Sequence, residues 1–121
     1  MSLTILAVDD SPTIRNLLQH TLMAAGFTLH LAEDGLQGLE MLSDIAPDAI
    51  ISDINMPRLD GFGFIEAVRR LDRHRATPIL VLTTESAVAL KTRARTAGAT
   101  GWIIKPFDPL KLIKALQMVA G

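Results

Sequence analysis

Three carboxylates, a hydroxyl and an ammonium stand at the ends of short aliphatic runs in this sequence. Asp9 and Asp10 follow LTILAV, Asp53 follows AIIS, Thr83 closes PILVLT, and Lys105 follows GWII and precedes Pro106. Singly, each has an ordinary structural explanation: an Asp caps the next helix, a Thr finishes a strand, a Lys is solvated in a turn. Gathered around one crevice, they describe a chemistry. Close carboxylates repel and raise one another's pKa unless a cation intervenes, and an all-oxygen site with one open side suits magnesium, with manganese as an acceptable substitute. Magnesium keeps several waters and takes few protein ligands. Asp10 and Asp53 as direct ligands, Asp9 acting partly through water, and one backbone carbonyl therefore suffice, leaving a position for a phosphoryl oxygen. Phosphoryl transfer asks a protein mainly for positioning and charge neutralisation, and a carboxylate can serve as the nucleophile. The Lys105 ammonium would then neutralise one nonbridging oxygen while the Thr83 hydroxyl hydrogen-bonds another.

Whether these residues meet depends on the elements that carry them. The aliphatic runs Leu3 to Val8, Thr28 to Ala32, Ala49 to Ser52, Pro78 to Thr83 and Gly101 to Ile104 are expected strands. Between them lie stripes at helical spacing. Ile14, Leu17, Leu18 and Leu22 follow Ser11 as N-cap and Pro12 at the first helical position, and end at Gly26. Leu36/Leu39/Leu42, Phe62/Ile65/Val68, a weaker Ala-rich segment from Ala87 to Ala97 stopped by Gly98, and Leu110/Ile113/Leu116 after Asp108 and Pro109 complete the set. Strands aliphatic on both faces and separated by helices predict a doubly wound α/β sandwich, (βα)5, around a parallel sheet. In such a sheet ligands bind beyond the carboxyl ends of the strands, where the reactive residues fall.

The bulk numbers narrow the alternatives. At 121 residues the chain has the size of one domain, and 49% hydrophobic with 21% charged residues is a globular composition. No apolar stretch approaches the ~20 residues that span a bilayer, and the N-terminus turns acidic before a signal core could form, so membrane insertion is not expected and a cytoplasmic setting is. Without cysteine there is no disulfide framework, thiolate zinc site or thiol nucleophile. A net charge of −1 gives no general electrostatic reason to bind nucleic acid directly. Arg69, Arg70, Arg73 and Arg75, interrupted by Asp72, are expected to be a solvated helix end and loop. His20, His30 and His74 lack metal-ligand spacing and are not nominated as ligands.

The motifs VDDSPTIR (Val8 to Arg15), SDINMPRLDGF (Ser52 to Phe62), LTTES (Leu82 to Ser86) and GWIIKPF (Gly101 to Phe107) occur in this order. Through them the sequence closely resembles the CheY-type receivers of two-component signalling, over essentially the whole chain. The resemblance implies a single receiver domain over residues 1–121 without an effector domain, and the flavodoxin-like strand order 2-1-3-4-5. It further implies Asp53 as phosphoacceptor, Asp9 and Asp10 as the acidic pair, the Asn55 backbone carbonyl as a metal ligand, and Thr83 and Lys105 as phosphoryl-sensing residues. Asn55 and Glu85 fall at the positions that tune dephosphorylation, Trp102 at that of the switch aromatic, and the Lys105-Pro106 bond is expected to be cis. Thr84 is bulkier than the small residue often found there and is expected to narrow phosphodonor access. The implied partners are a sensor histidine kinase, a downstream protein on the face of the fourth helix, fifth strand and fifth helix, and a phosphatase. Lys91, Arg95, Lys111 and Lys114 would make that face basic. Such a chain is a signalling phosphoacceptor rather than an enzyme, although it assists its own phosphorylation and dephosphorylation. A diffusible chemotaxis-type regulator is the first expectation; a phosphorelay or phosphate-sink receiver, or the receiver of a larger regulator, is the alternative.

Rivals from other classes fit less well. A haloacid-dehalogenase-like phosphatase needs Asp-x-Asp after its first strand, and here Ser11 stands two residues after Asp9. A nucleotide-binding module would want a neutral glycine-rich loop there, and Gly61-Phe62-Gly63 continues to Glu66, not glycine. A receiver-like interaction module that is never phosphorylated is disfavoured by the intact set of site residues.

Overall fold

The structure, a computed structural model, describes residues 2–120. Five strands, β1 (Thr4–Val8), β2 (Thr28–Ala32), β3 (Ala49–Ser52), β4 (Ile79–Thr83) and β5 (Gly101–Ile104), alternate with α1 (Pro12–Ala24), α2 (Gly35–Met41), α3 (Gly61–Arg69), α4 (Val88–Ala97) and α5 (Pro109–Ala120). A short 3-10 turn at Asp72–His74 follows α3. All strand pairs are parallel, in the order β2-β1-β3-β4-β5. The doubly wound sandwich read from the sequence is thus the fold, with two strands starting one residue later. At β4 the reason is Pro78, which has no N–H for the ladder and only accepts from Ile50 N at 2.8 Å.

Successive strand residues feed opposite layers. Leu6, Val8, Ile50 and Val81 join Phe64, Ile65 and Val68 in the core beneath α2, α3 and α4. Ile5, Ala7, Ile51, Leu80 and Leu82 join Leu18, Leu22, Leu112 and Leu116 beneath α1 and α5. That division explains why the central strands read as unbroken aliphatic runs: both of their faces are buried.

The helices start where short polar side chains accept from the first turn. Ser11 Oγ takes Ile14 N–H, Asp34 takes Gln37 N–H, Asp60 takes Gly63 N–H and Asp108 takes Lys111 N–H. Helix α4 is the exception: Ala87 offers no side-chain cap, and Ala94 is its one buried residue. It is the least anchored helix, as its weak apolar stripe suggested.

One expectation about the surface is corrected. Arg69 is not a solvated helix end. Its guanidinium donates four hydrogen bonds of 2.7 to 3.0 Å to the carbonyls of Gly98, His74 and Thr77, joining the end of α3 to the end of α4 and the approach to β4. Those carbonyls, at loop and helix-end positions without backbone donors, draw the cation inward. The end of α4 also needs Gly98, at φ +120°, where a Cβ would lie 2.7 Å from the Arg69 side chain. Arg75 keeps to the surface, paired with Asp72 at 2.7 Å.

Candidate functional site

Parallel pairing sets the strand ends beside one another. Asp9 N bonds to Ala32 O and Asp53 N to Val8 O, so the first residues beyond β1 and β3 are still held by the ladder. Asp9 is 2% exposed and Asp53 7%, whereas Asp10 is open to solvent. Each of the three offers a carboxylate oxygen within 4.8 Å of the others. Asp9 is fixed further at both ends: its Oδ1 accepts from Ser11 N at 2.9 Å and its carbonyl from Arg15 Nη1 at 2.7 Å. Asp53 Oδ1 accepts from Ile54 N at 2.6 Å.

Lys105 reaches into this group from the end of β5. Its Nζ lies 2.7 Å from Asp9 Oδ2 and donates to Asp53 Oδ2 at 2.8 Å. Burial raises the Asp9 pKa above its ordinary value, and the nearby ammonium and the Ser11 N–H offset this only in part. For Lys105, burial works to lower the pKa, but attraction to Asp53 and Asp9 outweighs it and the ammonium is held above its usual range. The Lys105-Pro106 bond is cis. The sequence assigned Lys105 to an incoming phosphoryl group; it did not disclose that the same ammonium bridges two carboxylates of the protein.

Thr83 is fully buried at the end of β4, and its Oγ1 accepts from Glu85 N at 3.4 Å. The Glu85 carboxylate accepts from Asn55 Nδ2 at 3.2 Å, across the mouth of the site, and its carbonyl accepts from Trp102 Nε1 at 2.9 Å. Trp102 is half-buried and pairs in register with Val81 on β4. Beside it is a cavity of about 70 Å³ lined by Lys91, Ala94, Arg95 and Gly101. Thr84, the residue after Thr83, is exposed.

The loop that carries Asn55 depends on a glycine. A Cβ at Gly61 would lie 2.2 Å from the Asp53 carbonyl oxygen, and Gly61 N closes the loop on Ile54 O at 2.8 Å. Sequence reasoning missed two further groups here. Arg15, at the end of the first motif, holds the Asp9 carbonyl, and Arg58, in the loop that carries Asn55, pairs with Asp34. The i+6 spacing from Asp9 to Arg15 across a helix start could have signalled the first; nothing in the sequence signals the second.

The donor set fits a hard divalent cation. It is all oxygen, it is the one cluster of three candidate ligands among the described residues, and its two buried carboxylates are already held together by a cation, Lys105 Nζ at 2.7 and 2.8 Å.

Comparison with known proteins decides the family, since the response regulator receiver domain matches residues 5–117. The chain belongs to the response regulator receiver family. Over 121 aligned residues this receiver is 42% identical to the response regulator MprA of Mycobacterium ulcerans, covering 97% of this chain and 50% of that protein. It thus spans about half the length of that relative. It superposes on the chemotaxis protein CheY4 of Vibrio cholerae with a TM-score of 0.94 at 45% identity, covering 98% of this chain and 99% of the other. It also superposes, at 28% identity and a TM-score of 0.93, on the receiver domain of the sensor histidine kinase PA1611 of Pseudomonas aeruginosa, a structure with a magnesium ion coordinated in its active site cleft; coverage is 100% and 99%. Receivers are the phosphoacceptors of two-component signalling, bind magnesium at an acidic pocket, and engage histidine kinases and downstream targets.

Proposed function

We propose that this receiver is a magnesium-dependent switch phosphorylated on Asp53, acting as a chemotaxis-type regulator. The observation that carries this is the single cluster in which Lys105 Nζ bridges Asp9 and Asp53 beside Asp10. Asp10, Asp53 and the Asn55 carbonyl would hold the metal directly and Asp9 partly through water. When bound, the metal supplies charge neutralisation for the acidic cluster and the phosphoryl oxygens. An oxygen of Asp53 attacks phosphorus, the bond from phosphorus to the donor's imidazole nitrogen breaks, and that nitrogen keeps the electron pair. Lys105 is already against Asp53 and moves only a short way to a nonbridging phosphoryl oxygen. Manganese is the proposed substitute metal.

The response runs through Thr83. Turning its hydroxyl toward the phosphoryl group takes an acceptor from Glu85 N–H, and Glu85 also holds the Trp102 indole. Trp102 is thereby the switch aromatic, and Asn55 and Glu85, bonded to each other at the mouth, tune access of the hydrolytic water. The output face is α4, β5 and α5, where Val88 and Leu110 are 76% and 71% exposed beside Lys91, Arg95, Lys111 and Lys114. A histidine kinase, a downstream protein at this face and a phosphatase are the proposed partners, in a cytoplasmic setting. The 45% identity and TM-score of 0.94 with the chemotaxis protein CheY4 favour the chemotaxis role. The match to half of MprA favours a second reading, the receiver portion of a longer regulator.

Magnesium with acetyl phosphate is expected to add one phosphoryl mass in intact-mass spectra. Absence of the adduct on the parent chain would overturn the switch. Trp102 emission is expected to shift with magnesium and beryllofluoride, and an unchanged spectrum would reduce Trp102 to packing.

A further inference from the structure

The loop between β3 and α3 carries Asn55 but is held from elsewhere. Arg58, five residues after Asp53, donates from Nε to Asp34 Oδ2 at 2.8 Å and from Nη2 to Asp34 Oδ1 at 3.0 Å. This is a two-pronged pair in fork geometry. Asp34 is buried at 6% exposure and also caps α2 through Gln37 N–H, so the clamp joins the loop to a rigid helix start. The Arg58 guanidinium holds the Asp34 carboxyl below its ordinary range, so Asp34 stays an anion.

The backbone at the clamp is unusual. Arg58 has φ +67°, the one non-glycine residue with positive φ among the described residues, and Leu59 N bonds back to Pro57 O at 2.7 Å. The positive φ and the i→i+2 bond describe the strained kind of γ-turn. An arginine has no conformational reason to occupy it, since glycine or asparagine would do so with less strain. Next to it, Leu59 is wedged between two glycines: a Cβ at Gly35 would lie 2.7 Å from Leu59 O, and one at Gly63 2.7 Å from Leu59 Cδ1. The loop therefore sits on the starts of α2 and α3, with Asn55 on its free side facing Glu85.

We propose that Arg58 is a positioning residue for the metal and phosphoryl site, clamping the Asn55 loop to Asp34 and so adding to the backbone bonds that already shape it. This rests on the receiver-switch reading. Arg58 touches none of Asp9, Asp10 or Asp53 through a hydrogen bond or ion pair among the described residues, so its effect is carried by the loop. The clamp also pairs off Asp34, one of the two acidic residues between β2 and α2, so its charge is neutralised locally.

The test measures magnesium affinity of the metal-free protein by calorimetry, with amide exchange of the loop as a second readout independent of phosphorylation. Arg58→Ala is expected to weaken magnesium binding about tenfold, the size seen when a supporting contact outside a metal's ligands is lost. The Leu59 and Gly61 amides are expected to exchange faster without metal. Asp34→Asn keeps a capping oxygen but loses the ionic fork, and is expected to match Arg58→Ala. The double variant should be no worse than either single one. Arg58→Lys keeps charge but not the fork and should fall between. Because the Arg58 side chain is 56% exposed, the melting temperature should change little, so a fold defect is separable. Parent-like affinity and exchange in both single variants would overturn the clamp while leaving the switch intact. A parent chain that neither binds magnesium nor accepts phosphate would overturn the switch and the clamp together.

Discussion

Two cations are drawn into this molecule from opposite ends of its sheet, and they are met by different partners. Lys105, beyond the carboxyl end of β5, lies between the carboxylates of Asp9 and Asp53. Arg69, near the amino ends of β4 and β5, lies among the carbonyls of Gly98, His74 and Thr77, and no carboxylate pairs with it among the described residues. Burial lowers the Arg69 pKa, whereas Lys105 ends up raised because its anionic partners outweigh burial. The difference teaches what each end is for. Carbonyl dipoles come with the backbone and serve only to fix it, while carboxylates can exchange one cation for another and so can respond to metal and phosphate.

Breaking each end should therefore have different consequences. Asp53→Asn is expected to abolish the phosphoryl adduct entirely in intact-mass spectra while the chain stays folded; an adduct persisting at parental level would remove Asp53 as acceptor. At the other end, Arg69→Met leaves buried carbonyls without donors and should lower stability by about 3 kcal/mol in urea unfolding. Its folded fraction should still be phosphorylated, and loss of the adduct from folded protein would erase the division of labour between the two ends.

A smaller effect sharpens the comparison with the opposite sign. Burial leaves Asp9 with a raised pKa, so its ionised form costs stability at neutral pH in the metal-free protein. Asp9→Asn should therefore modestly stabilise metal-free protein while weakening magnesium binding, the usual exchange of stability for function. A destabilised Asp9→Asn chain would show that the pair with Lys105 is structural, like the Arg69 cluster.

The smallest expected effect lies beside Arg69. His74 is 3% exposed, its Nδ1 meets Thr77 Oγ1 at 3.1 Å, and burial, followed by the positive charge of Arg73, lowers its pKa from 6.5. As pH falls below 6.5 the unfolded chain takes up a proton that the folded chain refuses, so this contribution is present above 6.5 and is lost toward the lowered folded value. His74→Gln should flatten the stability profile in that window, and an unchanged slope would place the titrating group elsewhere.

Much of the responsive end was legible because its residues announce themselves. Asp9, Asp10, Asp53, Thr83 and Lys105 are polar groups at the ends of aliphatic runs, where alternation and Gly, Pro and Asp punctuation mark the strand limits within a residue. The fixed end was misread for the converse reason. The acceptors of Arg69 are main-chain carbonyls, which every residue owns and no side chain advertises, so four nearby arginines looked like a solvated run. Arg58 was hidden in the same way, since its partner is 24 residues earlier and its positive φ stands where no glycine would have flagged it.

Local chemistry carried the order of strands and helices, the placement of reactive side chains at strand ends, and the parallel sheet, because periodicity and capping act over a few residues. The tertiary structure alone decided which charges meet. It put Lys105 between two carboxylates, Glu85 among Thr83, Asn55 and Trp102, and Arg58 against Asp34. Such contacts depend on distances set by packing across the sheet, and electrostatic energy varies steeply with both distance and burial.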